Sequence, residues 1–250
     1  MTSIGVLTVF QNEKIPLDYI VGTSAGAMVG ACYAFGYPLE KAYEMGVEVS
    51  KRSRFEAALK SLRYCSLRFS GILTSKYFYD MFNPFMEGLK FEDALIPFAA
   101  MASDLRSGKT RVIKSGNLLS GIIASNSAPV LFEPYRYHRE LLIDGASTDP
   151  LPIQVLINEK IDIKIAVSIP QLDYAISTKK KLNVIDVFFL SRFMMAEKIM
   201  TFSSELADVV IRPRVEGLSK EDWHYFEQII SAGESAGQLA VKQIKSLLEK

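Results

Sequence analysis

The chain has 250 residues, a formal net charge of +1 and 49% hydrophobic residues. That length can bury one sizeable core in a single domain spanning 1–250, and the composition excludes global disorder. The near-zero charge lacks the basic excess of a dedicated nucleic-acid binder, so no nucleic-acid partner is expected.

The apolar stretch Met1 to Phe10 has no basic leader and runs into Gln11-Asn12-Glu13-Lys14, unlike a secretory signal, which favours a cytoplasmic location. Leu17 to Val21 reads as a strand and Ala25 to Phe35 as a helix that ends at Gly36-Tyr37-Pro38. Helical patterns follow at Leu39 to Lys51, Phe55 to Arg63 and Lys76 to Phe85. Phe98 to Ser103 and Thr110 to Lys114 read as strands, joined by a polar turn over Asp104 to Lys109. Leu118 to Ser127 is helical, and Leu141 to Ile143 is a short strand ending at Asp144-Gly145. A helix at Pro152 to Asn158 and a strand at Ile161 to Ile169 come next. Leu182 to Phe202 is too charged to span a bilayer and reads as an amphipathic helix with Phe188, Phe189, Phe193 and Met194 in its apolar sector. A strand at Ala207 to Arg212 and a helix over Glu221 to Glu249 close the chain. This alternation implies an α/β fold, a three-layer α/β/α sandwich with a mainly parallel central sheet.

Residues 51–76 carry Lys51, Arg52, Arg54, Lys60, Arg63, Arg68 and Lys76 against one acid, Glu56. Two readings stand: a solvated helix face with a cap, or peripheral contact with an anionic membrane. Cys32 falls on an apolar helix and reads as a buried thiol. Neither the Cys32 and Cys65 spacing nor any acidic loop suggests a metal, so no cofactor is expected.

Gly22-Thr23-Ser24-Ala25-Gly26 lies between an apolar strand and a small-residue helix, the setting of a nucleophile elbow. There a serine hydroxyl stands at a helix N-terminus, where the N–H of Ala25 favours developing negative charge. A serine needs a base to take its proton. His138, His224 and the carboxylates are available, and Asp144 stands out because it ends an apolar strand, where ligands gather in α/β sheets.

"PLDYIVGTSAGAMVGACYAFGY" resembles the patatin-like phospholipase family, as does the stretch from Phe98 through Asp144-Gly145-Ala146 to Pro152. The resemblance extends to "ADVVIRPRVEG" and the last helix with Gly233 and Ala236. It implies a lipid ester substrate, Ser24 as nucleophile and Asp144 as base in a dyad without histidine, and an acyl-enzyme. Asp144 would then need its pKa raised by burial. It also implies a strand and Gly-rich oxyanion loop ahead of Thr2-Ser3-Ile4-Gly5-Val6-Leu7, where the chain begins at Met1. On that reading the 250 residues are N-terminally incomplete relative to the family and weakly active, with Ala25 supplying part of the oxyanion hole. Two other readings are a non-catalytic lipid-binding or assembly protein on the same scaffold, and an α/β-hydrolase triad of Ser24, Asp144 and His224. Head group, acyl preference and oligomeric state are not encoded in any recognisable motif.

Overall fold

The computed structural model describes residues 1–47, 71, 73–169, 182, 184–215 and 225–249. The helix expected at Phe55 to Arg63, most of the basic stretch, Cys65 and His224 lie outside these residues. The chain divides into two compact units, Tyr19–Asp149, and Met1–Asp18 together with Pro150–Lys250.

In the unit Tyr19–Asp149 the strands are β1 (Ile20–Thr23), β2 (Phe98–Asp104), β3 (Thr110–Ile113), β4 (Tyr135–Tyr137) and β5 (Glu140–Asp144). β2 is the hub. Its residues from Phe98 to Ser103 are all buried, the near-continuous apolar run of a strand covered on both faces. β1 pairs with it in parallel from Ile20↔Phe98 to Thr23↔Met101. β3 is antiparallel over Ala100 to Ser103, and β5 is antiparallel from Ala102↔Asp144 to Asp104↔Leu142. A residue in a sheet has one neighbour on each side. Ala100 and Met101 face both β1 and β3, while Ala102 and Ser103 face both β3 and β5. β3 therefore occupies one edge of β2, and β1 and β5 share the other, end to end.

The α/β class expected from the sequence is what the structure shows, with a mixed sheet at its centre. Two of its antiparallel pairs, β2–β3 and β4–β5, follow from connections too short for a crossover. The turn after Asp104 joins β2 to β3, and His138-Arg139 alone joins β4 to β5. His138 takes φ 53° at that hairpin. Helices α2 (Ala25–Ala34), α3 (39–47), α4 (Lys76–Met86) and α5 (Leu118–Asn126) complete the unit. α2 packs on β1 and β2, and α5 on β2 and β5. The rings of Tyr77 and Phe78 in α4 meet Phe132, with Phe78 and Phe132 centroids 4.1 Å apart, and Phe82 stacks on Phe78.

In the other unit α1 (Thr2–Asn12) packs along α8 (Tyr225–Leu248). Two glycines permit the approach: a Cβ on Gly5 would collide with the Ile230 backbone, and one on Gly233 with that of Thr2. β6 (Ile165–Val167) pairs in parallel with β7 (Val209–Ile211) over a cluster of Val6, Val9, Phe10, Ile211, Val241 and Ile244. α6 (Ile153–Asn158) precedes β6, and α7 (Val184–Ser204) precedes β7. β6 is shorter than the expected Ile161 to Ile169, because Lys164 turns its N–H to the Asp208 carboxylate (2.7 Å) instead of extending the ladder. α7 corrects another expectation. Its buried side holds Ala196 and Met200, while Val187, Phe188, Met194 and Phe202 are exposed. Among the described residues no helix is long and apolar enough to cross a membrane.

Candidate active site

The end-to-end meeting of β1 and β5 is the distinctive geometry of this molecule. β1 runs up the edge of β2 and stops at Thr23, opposite Met101. β5 runs down the same edge and stops at Asp144, opposite the next residue, Ala102. Both chains must leave the sheet here, and Ser24 and Gly145 are the residues at which they do so. A hydrogen bond links the two departures: Thr23 Oγ1 donates to the carbonyl of Asp149 at 3.0 Å.

Ser24 leaves with φ 55° and ψ −125°, a left-handed conformation that strains a non-glycine residue. The turn is tight enough to require Gly22. A Cβ there would lie 2.5 Å from the Gly26 carbonyl oxygen and 2.6 Å from the Ala27 nitrogen. Gly26 is different, since a Cβ on it would meet nothing within 4 Å. The Ser24 carbonyl caps α2 by accepting from the N–H groups of Ala27 (2.9 Å) and Met28 (3.3 Å). The N–H of Ala25, first in the helix, has no intrahelical acceptor. Ala25 is exposed and Ser24 partly so, which leaves this helix end open to a ligand.

Asp144 is 5% exposed. Its Oδ1 accepts from the N–H of Ala146 at 2.8 Å, capping the short 3-10 turn Gly145–Ser147 and fixing the carboxylate. Gly145 is required by close approach, as its Cβ would lie 2.5 Å from the Met101 carbonyl oxygen. Beneath the turn sits Ser103, buried, with its Oγ 3.1 Å from the Asp144 carbonyl, 3.3 Å from that of Gly145 and 2.8 Å from Thr148 Oγ1. The β2 residues before it, Phe98 to Ala102, are all apolar, so this hydroxyl marks where the sheet receives the turn.

Three polar residues at the end of α5 were visible in the sequence only as a polar helix terminus. Ser125 Oγ accepts from the Ser24 N–H at 2.9 Å. Asn126 Nδ2 donates to the Ile122 carbonyl and Ser127 Oγ to that of Ile123. The Ser127 carbonyl accepts from the Asp144 N–H at 2.9 Å. His138 lies at the β4–β5 hairpin, the opposite end of β5 from Asp144. Leu73 pairs with the 131–133 segment, donating to the Leu131 carbonyl and accepting from the Glu133 N–H. A small cavity lies at the far end of α2, lined by Ala31, Cys32, Tyr37, Met45, Phe85 and Leu118. Burial pushes the Cys32 thiol up to about 11 there, with the Lys41 ammonium opposing. Among the described residues no group of three or more His, Cys, Asp or Glu could hold a metal ion.

Fold and site together define an α/β protein with a strained serine at a strand-to-helix elbow and a buried aspartate at the end of a second strand on the same edge of β2. The sequence profile of the family described as Patatin-like phospholipase matches residues 1–157. The chain belongs to that family. It is 30% identical over 166 residues to an uncharacterised NTE family protein of Mycobacterium tuberculosis, covering 66% of this chain and 44% of that one. It is 28% identical over 175 residues to lysophospholipase NTE1 of Candida albicans, covering 69% of this chain and 12% of that one. The chain thus spans less than half the length of these relatives. The crystal structure of VipD from Legionella pneumophila has the same fold, with a TM-score of 0.58 at 13% identity over 97% of this chain and 64% of that one.

Proposed function

We propose that this chain is a serine hydrolase of lipid carboxylic esters, working through a Ser24–Asp144 dyad. The observation that supports it best is the meeting of β1 and β5 on one edge of β2, with Thr23 and Asp144 opposite successive residues. Ser24 Oγ attacks the ester carbonyl carbon as its proton passes to Asp144. The oxyanion forms at the N-terminus of α2, where the Ala25 N–H donates to it. The tetrahedral species collapses, the C–O bond to the alcohol breaks, and Asp144 returns the proton to the leaving oxygen. Water then attacks the acyl-enzyme with Asp144 as base, releasing the fatty acid and restoring Ser24. Lysophospholipids are the substrates to try first, given the activity named for the Candida relative.

The test is covalent. A fluorophosphonate probe is expected to label the chain at Ser24, and Ser24→Ala to abolish both labelling and hydrolysis of p-nitrophenyl butyrate. A folded chain that is neither labelled nor active on esters would replace this reading with a lipid-binding role. Asp144→Asn is expected to lower kcat by about 10²–10⁴-fold, the usual range for a lost general base.

A further inference from the structure

We propose that Ser125 is a positioning residue that holds the nucleophile elbow, and that the end of α5 sets the spacing between Ser24 and Asp144. This rests on the dyad reading above.

The Ser24 N–H is where the β1 ladder ends. Its chain turns off the sheet at φ 55°, so the ladder offers this donor no continuation. A polar group removed from water needs a partner, and a strained conformation persists only where its surroundings fix it. Ser125 meets both needs. Its Oγ lies 2.9 Å from the Ser24 nitrogen across 101 residues of sequence, and the residue is wholly buried. Two residues on, the Ser127 carbonyl receives the Asp144 N–H.

One short segment therefore grips the backbone of both dyad members, each by a single hydrogen bond. The segment is itself held. The side chains of Asn126 and Ser127 return to the carbonyls of Ile122 and Ile123, one turn back along α5. The buried Ile122 and Ile123 seat the helix on the sheet. The distance from nucleophile to base is thus set by a helix terminus lying outside both the Gly-x-Ser-x-Gly and Asp-Gly motifs.

The test compares wild type, Ser125→Ala and Ser125→Cys. Cysteine keeps the volume but is a poor acceptor. Loss of the grip lets the elbow relax, and misplacement by about 1 Å can cost about 10²-fold. The expected result is a kcat lowered by about 10–100-fold on p-nitrophenyl butyrate with KM unchanged, and a parallel fall in fluorophosphonate labelling rate. Ser204→Ala, which removes a buried hydroxyl in the other unit, is expected to leave both unchanged. Independently of turnover, the Ser24 amide is expected to lose at least about ten-fold in hydrogen-exchange protection in Ser125→Cys, since its acceptor is gone. Wild-type kcat and wild-type Ser24 protection in a folded Ser125 variant would overturn the proposal. If Ser125→Ala does not fold, Ser125→Cys alone decides by the same two readouts. If Ser24→Ala retains wild-type activity, the dyad reading fails, while amide exchange still decides whether Ser125 holds the elbow.

Discussion

The two glycines of the Gly22-Thr23-Ser24-Ala25-Gly26 motif should respond in opposite ways to the same methyl group. In Gly22→Ala the new Cβ would sit 2.5 Å from the Gly26 carbonyl oxygen, where 3.4 Å begins ordinary contact. Both colliding groups are backbone in the first turn of α2, so no side chain can swing away. The elbow must open by about 0.9 Å, and overpacking of this kind costs about 1–3 kcal/mol. For a chain of this length that lowers Tm by about 2–12 °C. The same opening moves Ser24, so ester turnover should fall by about 10²-fold. In Gly26→Ala the methyl enters open space at a helical position, and the loss of backbone freedom in the unfolded chain should stabilise by about 0.4–1 kcal/mol. Thermal melts of the two variants beside wild type, with p-nitrophenyl butyrate hydrolysis at a temperature where all are folded, make the comparison. A Gly22→Ala chain melting with wild type, or a Gly26→Ala chain melting clearly below it, would refute the close-approach argument.

Ser103→Ala removes the buried hydroxyl beneath the Asp144–Gly145 turn and should destabilise by about 1–3 kcal/mol, read as a shifted urea midpoint with unchanged m. Cys32 should resist modification: raised from 9.0 to about 11, its thiolate is about 10²-fold scarcer at pH 8, so Ellman's reagent should react far more slowly with a folded Cys65→Ser chain than with the same chain in guanidinium. The Ser107 hydroxyl, at 2.6 Å, holds the Asp104 carboxyl below its ordinary value, helped by the N–H groups of Arg106, Leu141 and Ser107 against slight burial. A carboxyl depressed in the folded state stabilises above its unfolded pKa of about 3.9 and loses that effect as pH falls through the folded value. The stability difference between wild type and Asp104→Asn should therefore be constant near neutrality and shrink below about pH 4 in urea titrations.

Local chemistry made much of this molecule readable. The elbow was legible because an apolar strand, two glycines around a serine and a run of small residues can hardly be assembled otherwise. Asp144 was legible as a charge placed where an apolar strand stops. What escaped depends on groups distant in sequence. β4 is three residues, Tyr135–Tyr137, with a polar arginine at its centre, and it forms only because β5 returns beside it. The partnership of Ser125 with Ser24 spans 101 residues, and locally "ASNS" promises no more than the end of a helix. Phe188 and Met194 look like core residues by type, yet composition does not tell a helix which side will be covered. The β2–β3 and β4–β5 pairs follow from connection lengths, which the turn at 104–109 already hinted at, whereas the antiparallel β2–β5 pair joins strands distant in sequence.

The packing of α1 on α8 also has a temporal meaning. The unit Tyr19–Asp149 is one continuous piece of chain, so all its partners have been synthesised once residue 149 has left the ribosome. The other unit is divided: its first 18 residues must wait for residues 150–250. Gly5 finds its seat against Ile230 only after more than two hundred further residues have emerged. At about 5–20 residues per second that interval lasts on the order of ten seconds or more, long compared with the collapse of a small domain. During it Val6, Val9 and Phe10 lack the Val241 and Ile244 that later bury them. Translation thus imposes an order of assembly, with the elbow unit first and the helix pair last. Until then α1 is an apolar segment in waiting, of the kind chaperones hold.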